Sequence, residues 1–525
     1  MLERDRIFPH TIARRARECP DRIFLQHVDG SEMAYGELHS RALHWAGGLA
    51  ALGVAKGDTA LVMLPNTAES VLSWLAISWA GGIEVPVNTA YRGKLLEYII
   101  NNSTARVLIT CPEYIERIEA VAAGFTHLRT VIVVRGATPS STTLPSVMDG
   151  ATALDAATPI VSDGPAYYDI ANIVYTSGTT GPSKGVMMPW AQSHEMSISC
   201  LPVDGFGEDD AWYSPFPLFH MSGKIALYAS ALQNCRFVMR ESFSTRDFWP
   251  DVDRFGCTIS LLIGTTNAFV WSLPEQPDDA DHPLKYSLQS PLPADPDAYM
   301  KRFGIKIGSC FNMTEISAPI WTHWTLHGRS CGRLRPGQQL RIVDEHDEEV
   351  PPGTIGEIIV RTDQPWLMNA GYFNMPEKTV EAWRNGWFHT GDVGYVDEDG
   401  WYYYLDRKKD ALRRRGENIS SMELEALVND HPDVQESAVI GVASDLGEDD
   451  VKVVITIRPD CDFTPESLIT YLIPRIPRFM IPRYVEVLDA LPKTPTEKVR
   501  KEVLRQAGVT PGTWDREKSR MVLPR

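Results

Sequence analysis

The sequence predicts an α/β protein in two unequal parts. The large N-terminal part consists of multi-layer α/β sheets with a small distorted barrel or sheet, and the C-terminal part is a smaller α+β unit. Three observations lead there. Strand-like apolar runs alternate with helical-period segments over the first 110 residues, the pattern of parallel α/β layers. At 525 residues the chain exceeds what a single core organises. The last 115 residues, 411–525, carry a helix–strand–strand–helix series of their own, enough for an independent core.

In order, Pro20 to His27 is a short apolar run. Tyr35 to Leu52 has apolar residues at helical spacing, with Gly53 placed as its C-terminal cap. Ala60 to Leu64 reads as a buried strand, Ala68 to Ala80 as a helix and Ile83 to Val87 as a second strand. Ala105 to Thr110 and Thr130 to Val134 continue the alternation. Residues 136–164, rich in Ala, Ser, Thr, Pro and Asp, read as a solvated excursion. Cys257 to Ile263 is another buried strand, and Leu273 to Pro296 is rich in Pro and Asp. Gly332 to Asp344 and Gly353 to Val360 read as paired β segments. Beyond them Ile419 to Asn429 is a helix capped by Ser420 or Ser421. Strands follow at Glu436 to Val442 and Val451 to Ile457, then a helix at Pro465 to Ile473.

Lys plus Arg number 51 against 68 Asp plus Glu, a net charge of −17, which argues against nucleic acid or anionic membrane recognised by bulk charge. No apolar run has signal-peptide or membrane-span length. The eight cysteines lack C-x-x-C spacing, and the thirteen histidines lack a ligand pattern. Both favour a cytoplasmic protein with reduced thiols and no structural metal.

The most informative stretch is Ile173 to Met187, IVYTSGTTGPSKGVM. Three glycines, a run of hydroxyl residues and Lys184 sit between two apolar strand-like ends. Glycines let backbone N–H groups turn inward, while hydroxyls and an ammonium add donors around the same space. Such a loop suits a triphosphate, although a ligand-free surface turn shares its composition. It is neither a P-loop nor a dinucleotide fingerprint. Further along, His220 lies in YSPFPLFHMSG, where a packed core histidine is the ordinary reading. Thr314-Glu315, taken alone, reads as a helix start, and Gly391-Asp392 as a turn between strands.

Together the strings IVYTSGTTGPSKGVM, PLFHMSG, FNMTE, WFHTGD, YLDRKKD, RGEN and LPKTPTEK resemble, in order and spacing, those of the adenylate-forming superfamily. That superfamily comprises acyl- and aryl-CoA synthetases, peptide-synthetase adenylation domains and firefly luciferase. The resemblance covers nearly the whole chain. It implies an adenylation domain over 1–406, a hinge at 407–410 and a mobile C-terminal domain over 411–525. By the same resemblance Thr176, Ser177, Gly178, Thr179, Thr180, Gly181 and Lys184 hold the phosphates of ATP. Phe311, next to Asn312, stacks on adenine; Thr314 bonds the α-phosphate; Glu315 with Thr176 holds Mg²⁺. Asp392 and Arg407 bind ribose, Lys409 is the bending residue, Gly416 presents its loop to the pantetheine arm of coenzyme A, and Lys498 is the catalytic lysine. His220, Gly223, Cys310 and Asn312 line the acyl pocket.

The implied reaction is ATP-dependent activation of a carboxylic acid to an acyl-AMP, then transfer to coenzyme A. Transfer to a carrier-protein arm or an amine shares every motif. A non-catalytic nucleotide-binding relative is disfavoured by the presence of Lys184, Thr314, Glu315, Asp392, Arg407 and Lys498.

Three departures stand out. Gln289-Ser290-Pro291-Leu292-Pro293 replaces the family's Gly-Gly-Ala-Pro-Leu beside adenine. Glu497 replaces the glycine before the lysine. Asn312 replaces a glycine, adding bulk and an amide at the expected pocket floor, where an unpaired polar group is costly. An Asn312 that faces the pocket suggests a small-to-medium or polar acid rather than a long fatty acid, whereas one that points away leaves the size to be set elsewhere.

Overall fold

The computed structural model describes residues 2–139, 142–176, 183–199, 201, 206–263, 266–293, 295–407, 412–414, 417–419, 421–443, 449–459, 461–476, 478–494, 497–519 and 521. Its large part is built on two seven-stranded sheets. One runs Val147–Asp149, Thr130–Val133, Val107–Thr110, Thr59–Met63, Ile83–Pro86, Ile170–Thr176, Lys184–Pro189, and only its last pairing is antiparallel. The other runs Lys306–Gly308, Tyr286–Ser290, Ile259–Ile263, Ala211–Ser214, Arg236–Met239, Ile23–His27, Glu32–Ala34, again parallel until its last pair.

Parallel neighbours need crossovers, and helices supply them. The helix Ala68–Trp79 is buried at every residue from Ser70 on, and Met221–Gln233 is buried from Met221 to Ala231. Burial on all faces is what a helix enclosed within a layered core requires. Phe8, Trp74 and Trp190 stack in that core, with ring centroids 4.8 and 5.2 Å apart along the series.

A smaller antiparallel sheet follows: Gln338–Val343, Gly356–Thr362 and Trp387–Val396, with Tyr402–Arg407 added along the last. The paired segments expected after Gly332 are therefore present, as two rungs of this sheet. The C-terminal domain pairs Val434–Ala443 with Asp449–Ile457 and sets Tyr484–Val487 parallel to the latter. The helices Ser421–Asn429 and Pro465–Leu472 contribute Leu424, Val428, Leu468 and Leu472 to its own apolar cluster. Ser420 lies outside the described residues. Ser421 is the first helical residue, and its N–H donates to the Asp406 carboxylate at 2.9 Å.

One expectation needs correction. Residues 136–164 are not wholly solvated: Val147–Asp149 extends the first sheet and Ala151–Asp155 forms a helical turn whose Leu154 is buried in the main core. A few apolar residues among many polar ones suffice for an edge strand and one turn. The Pro- and Asp-rich stretch after Leu273 contains an interior strand, Tyr286–Ser290, flanked on both sides in its sheet. No helix among the described residues is long and apolar enough to cross a membrane.

Candidate active site

The strands Ile170–Thr176 and Lys184–Pro189 form an antiparallel pair with Thr176 opposite Lys184, so the glycine- and hydroxyl-rich stretch is the connection of a hairpin. The Thr176 hydroxyl donates to the Lys184 carbonyl at 3.4 Å, and the Lys184 ammonium sits 4.5 Å from the centre of the Tyr372 ring. Ser177, Gly178, Thr179, Thr180 and Gly181 lie outside the described residues, as do Lys409 and Gly416.

Thr314 and Glu315 occupy the turn between Cys310–Met313 and Ser317–Trp321, not a helix start. Four hydrogen bonds from three residues pin that turn. Gln192 Nε2 donates to the Thr314 carbonyl at 2.7 Å, and Asn369 donates its backbone and side-chain N–H groups to the Glu315 carbonyl at 3.0 and 2.9 Å. The Tyr372 hydroxyl donates to Glu315 Oε1 at 3.1 Å. Segment 369–373 is in turn fastened to the strand Lys184–Pro189: Met187 N–H donates to Gly371 O at 3.0 Å, and Phe373 N–H to Gly185 O at 2.8 Å. Tyr372 therefore touches Lys184 with its ring and Glu315 with its hydroxyl, bringing together two residues 131 positions apart. Sequence reasoning missed Tyr372, because nothing in N-A-G-Y marks a tyrosine of special use.

His220 is the N-cap of the helix Met221–Gln233. Its Nδ1 accepts the Ser222 N–H at 3.2 Å and lies 2.9 Å from the Ser222 hydroxyl. With Nδ1 accepting, the neutral ring carries its proton on Nε2. Desolvation, followed by the nearby charge of Lys498, pushes the His220 pKa down to about 3, so the ring is neutral near pH 7. Lys498, the cation that adds to this shift, lies 278 residues further along the chain.

Gly223 serves the loop rather than the pocket. A Cβ there would lie 2.6 Å from the Pro217 carbonyl oxygen and 2.7 Å from that of Phe216, so only glycine lets the chain before His220 cross the helix. Cys310 is buried in the main core.

Asn312 is exposed, unlike Cys310 and Phe311. An exposed amide pays no desolvation cost, so Asn312 gives no ground for favouring a small acid. Phe311 also departs from expectation. It is 5% exposed and faces Tyr404 at 5.9 Å within an apolar cluster, so its ring has almost no open face for adenine as folded. Gln289 is fully buried, its Nε2 donating to the Ser287 hydroxyl at 3.2 Å, so its bulk is turned into the sheet.

Asp392 is buried and held by its own strand. Thr390 Oγ1 donates to Ile358 O at 2.6 Å and accepts the Asp392 N–H at 3.0 Å, while the Gly391 N–H donates to Glu357 at 3.2 Å. Arg407 stands opposite Asp392 in the strand register, which places both expected ribose contacts on one rung.

Two layered α/β sheets followed by a separate C-terminal α+β unit are the architecture of the adenylate-forming enzymes. Residues 12–373 match the AMP-binding enzyme family and residues 423–498 the AMP-binding enzyme C-terminal domain; the chain belongs to that family. Among curated relatives, crotonobetaine/carnitine–CoA ligase of Salmonella arizonae is 28% identical over 90% of this chain and 93% of its own length. Among solved structures, the anthranilate CoA ligase AuaEII with anthranoyl-AMP superposes with a TM-score of 0.86 at 25% identity, over 95% of this chain and 96% of that one. The o-succinylbenzoate CoA synthetase MenE of Bacillus subtilis, bound to its acyl-adenylate OSB-AMP, gives 0.80 at 26% identity, over 95% and 99%. The same synthetase with ATP and a magnesium ion gives 0.80 at 25% identity, over 94% and 98%.

Proposed function

We propose that this chain is an AMP-forming acid–thiol ligase that activates a small or medium carboxylic acid with ATP and passes the acyl group to coenzyme A. The observation that carries the reading is Tyr372, whose ring centre lies 4.5 Å from the Lys184 ammonium and whose hydroxyl donates to Glu315 Oε1 at 3.1 Å, so that the hairpin cation and the carboxylate of the Thr-Glu turn share one place. The named acids of the relatives, crotonobetaine, anthranilate and o-succinylbenzoate, support the size class.

In the first half-reaction a substrate carboxylate oxygen attacks the α-phosphorus of ATP. The bond to the bridging oxygen breaks and pyrophosphate leaves with the electron pair. No protein nucleophile is required, so the protein orients the reactants and stabilises charge. Lys498 supplies positive charge at the α-phosphate. His220, neutral with Nε2–H, offers a donor to the acid without competing for a proton. Thr314 donates to the phosphate, the hairpin with Lys184 holds the β- and γ-phosphates, and Asp392 and Arg407 grip the ribose. In the second half-reaction the thiolate of coenzyme A attacks the acyl carbon and AMP leaves.

The residues present fit a magnesium ion. Glu315 offers a carboxylate that accepts a hydrogen bond from the Tyr372 hydroxyl, and Thr176 offers a hydroxyl across the hairpin. Such an ion takes one or two protein oxygens and completes its shell from phosphate and water. When bound, it neutralises phosphate charge. The domain division at 407–410 and a cytoplasmic place of action, where ATP and coenzyme A are plentiful, belong to the same proposal.

Incubation with ATP, magnesium, coenzyme A and a panel of acids, read by mass, tests the reading. An acyl-CoA and AMP should appear together for short or medium acids, and a product only with hydroxylamine or a carrier-protein arm would replace coenzyme A as acceptor. Lys498→Ala should lower adenylation by ~10²–10³-fold, the usual loss for one such stabiliser, and spare thioester formation from synthetic acyl-AMP. Equal loss in both half-reactions would refute the lysine's role.

A further inference from the structure

The residue before Lys498 is glycine in the resembling enzymes and Glu497 here, and the structure gives Glu497 a φ of +61°. That is the left-handed region, which a side chain with a Cβ adopts at a cost equivalent to roughly five- to thirty-fold in population. Something must hold it there. Glu497 Oε2 lies 3.2 Å from Lys493 Nζ, and the same ammonium lies 2.9 Å from the buried carboxylate of Glu436. Lys493 also stands over the Phe269 ring, 5.2 Å from its centre, in the large domain. Further hydrogen bonds tie the flanking residues: Thr494 N–H donates to Lys498 O at 2.7 Å, Glu497 N–H to Thr494 O at 2.9 Å and Lys498 N–H to the Thr494 side-chain hydroxyl at 3.1 Å, and Lys493 bridges Val499.

We infer that Glu497 and Lys493 are positioning residues for adenylation: their ion pair, anchored on Glu436 and against Phe269, replaces the conformational freedom of glycine and aims Lys498 at the acyl site. The inference rests on the reading of Lys498 given above. Neither residue touches substrate; each acts through the backbone that carries Lys498. Glu436 gives the brace a fixed foot. Burial raises its pKa while the adjacent ammonium opposes that shift, and it is an ion pair with Lys493 that makes its ionised form tenable there.

Two substitutions at one position separate this role from a merely structural one. Glu497→Ala removes the carboxylate but keeps a Cβ at positive φ, so the turn loosens. Glu497→Gly removes the carboxylate and the strain together. Acid-dependent exchange of labelled pyrophosphate into ATP should fall about tenfold in kcat for Glu497→Ala, with the KM for the acid unmoved. For Glu497→Gly it should stay within about twofold of the parent. Lys493→Met should fall as Glu497→Ala does, and adding Glu497→Gly to it should restore the rate.

Thioester formation from synthetic acyl-AMP, measured alongside, reports whether any loss is confined to adenylation. The brace is refuted if alanine and glycine at 497 give the same rate, or if Lys493→Met is not rescued. Lys498→Ala in the same series keeps the two claims apart. Full exchange without Lys498 overturns the lysine's role itself, whereas loss without it, combined with indifferent variants at 497, overturns only the brace.

Discussion

Replacing Lys224 by methionine should destabilise the large domain by about 3–5 kcal/mol, and replacing its partner as well should restore most of the loss. Lys224 Nζ lies 2.6 Å from Glu84 Oε2, and the two side chains are only 2% and 3% exposed. At an effective dielectric of ~20 the attraction at that distance is about 6 kcal/mol. The ammonium also stands 3.8 Å from the centre of the Trp74 ring, adding ~2 kcal/mol for a desolvated cation over indole. Burying both charges costs several kcal/mol each, so the intact pair is close to neutral overall. Removing one partner changes that balance. Glu84, whose pKa burial already raises, is left without its cation and must protonate or unfold its surroundings. Urea unfolding followed by tryptophan fluorescence, comparing midpoints of the large-domain transition, is the assay. Lys224→Met should be the least stable, and Lys224→Met with Glu84→Leu should return to within ~1–2 kcal/mol of the parent. A double variant as unstable as the single one, or a single variant indistinguishable from the parent, would refute the reasoning.

Three further outcomes are expected. Tyr372→Phe keeps the ring under Lys184 and removes the hydroxyl from Glu315; a hydrogen bond to a charged group contributes about 1.5–3 kcal/mol, so pyrophosphate exchange should slow roughly ten- to hundredfold, and an unchanged rate would detach Tyr372 from the site. Gly223→Ala places a Cβ 2.6 Å from a backbone oxygen and should shift the segment carrying His220, raising the KM for the acid more than that for ATP; equal changes in both would point to global damage. His194 and His220 are each pushed down to about 3 by desolvation first, with cations adding to it. The unfolded chain takes up protons near pH 6.5 while these rings do not, so their contribution to stability is whole above 6.5 and is lost as pH falls from 6.5 toward 3. His194→Gln should flatten the decline of melting temperature with pH in that window, and a slope as steep as the parent's would contradict the assignment.

The alternation of strands and helices, and the order of the motifs, were legible because each is local: period-2 and helical patterns, glycines, hydroxyls and turn residues sit within a few positions of one another. Thr176 opposite Lys184 follows from a hairpin whose two ends the sequence displays. Tyr372 was not legible, since its use depends on segment 369–373 lying along Lys184–Pro189, a pairing between residues nearly 190 positions apart. Nor was the direction of the Asn312 side chain, because a four-residue strand with two buried and two more open positions gives no reliable face from spacing. Phe311 shows the same limit, as its burial against Tyr404 comes from a strand 90 residues later. The substitution at 497 was visible as a departure, but its meaning required a backbone angle and the side chains of Lys493 and Glu436.

Acid-dependent exchange of labelled pyrophosphate into ATP tests the central claim most directly, since it requires a reversible acyl-AMP and nothing downstream. The account predicts exchange that needs magnesium, begins only when a suitable carboxylic acid is added, and collapses in Lys498→Ala. Folded protein that exchanges no pyrophosphate across a broad panel of acids would contradict it.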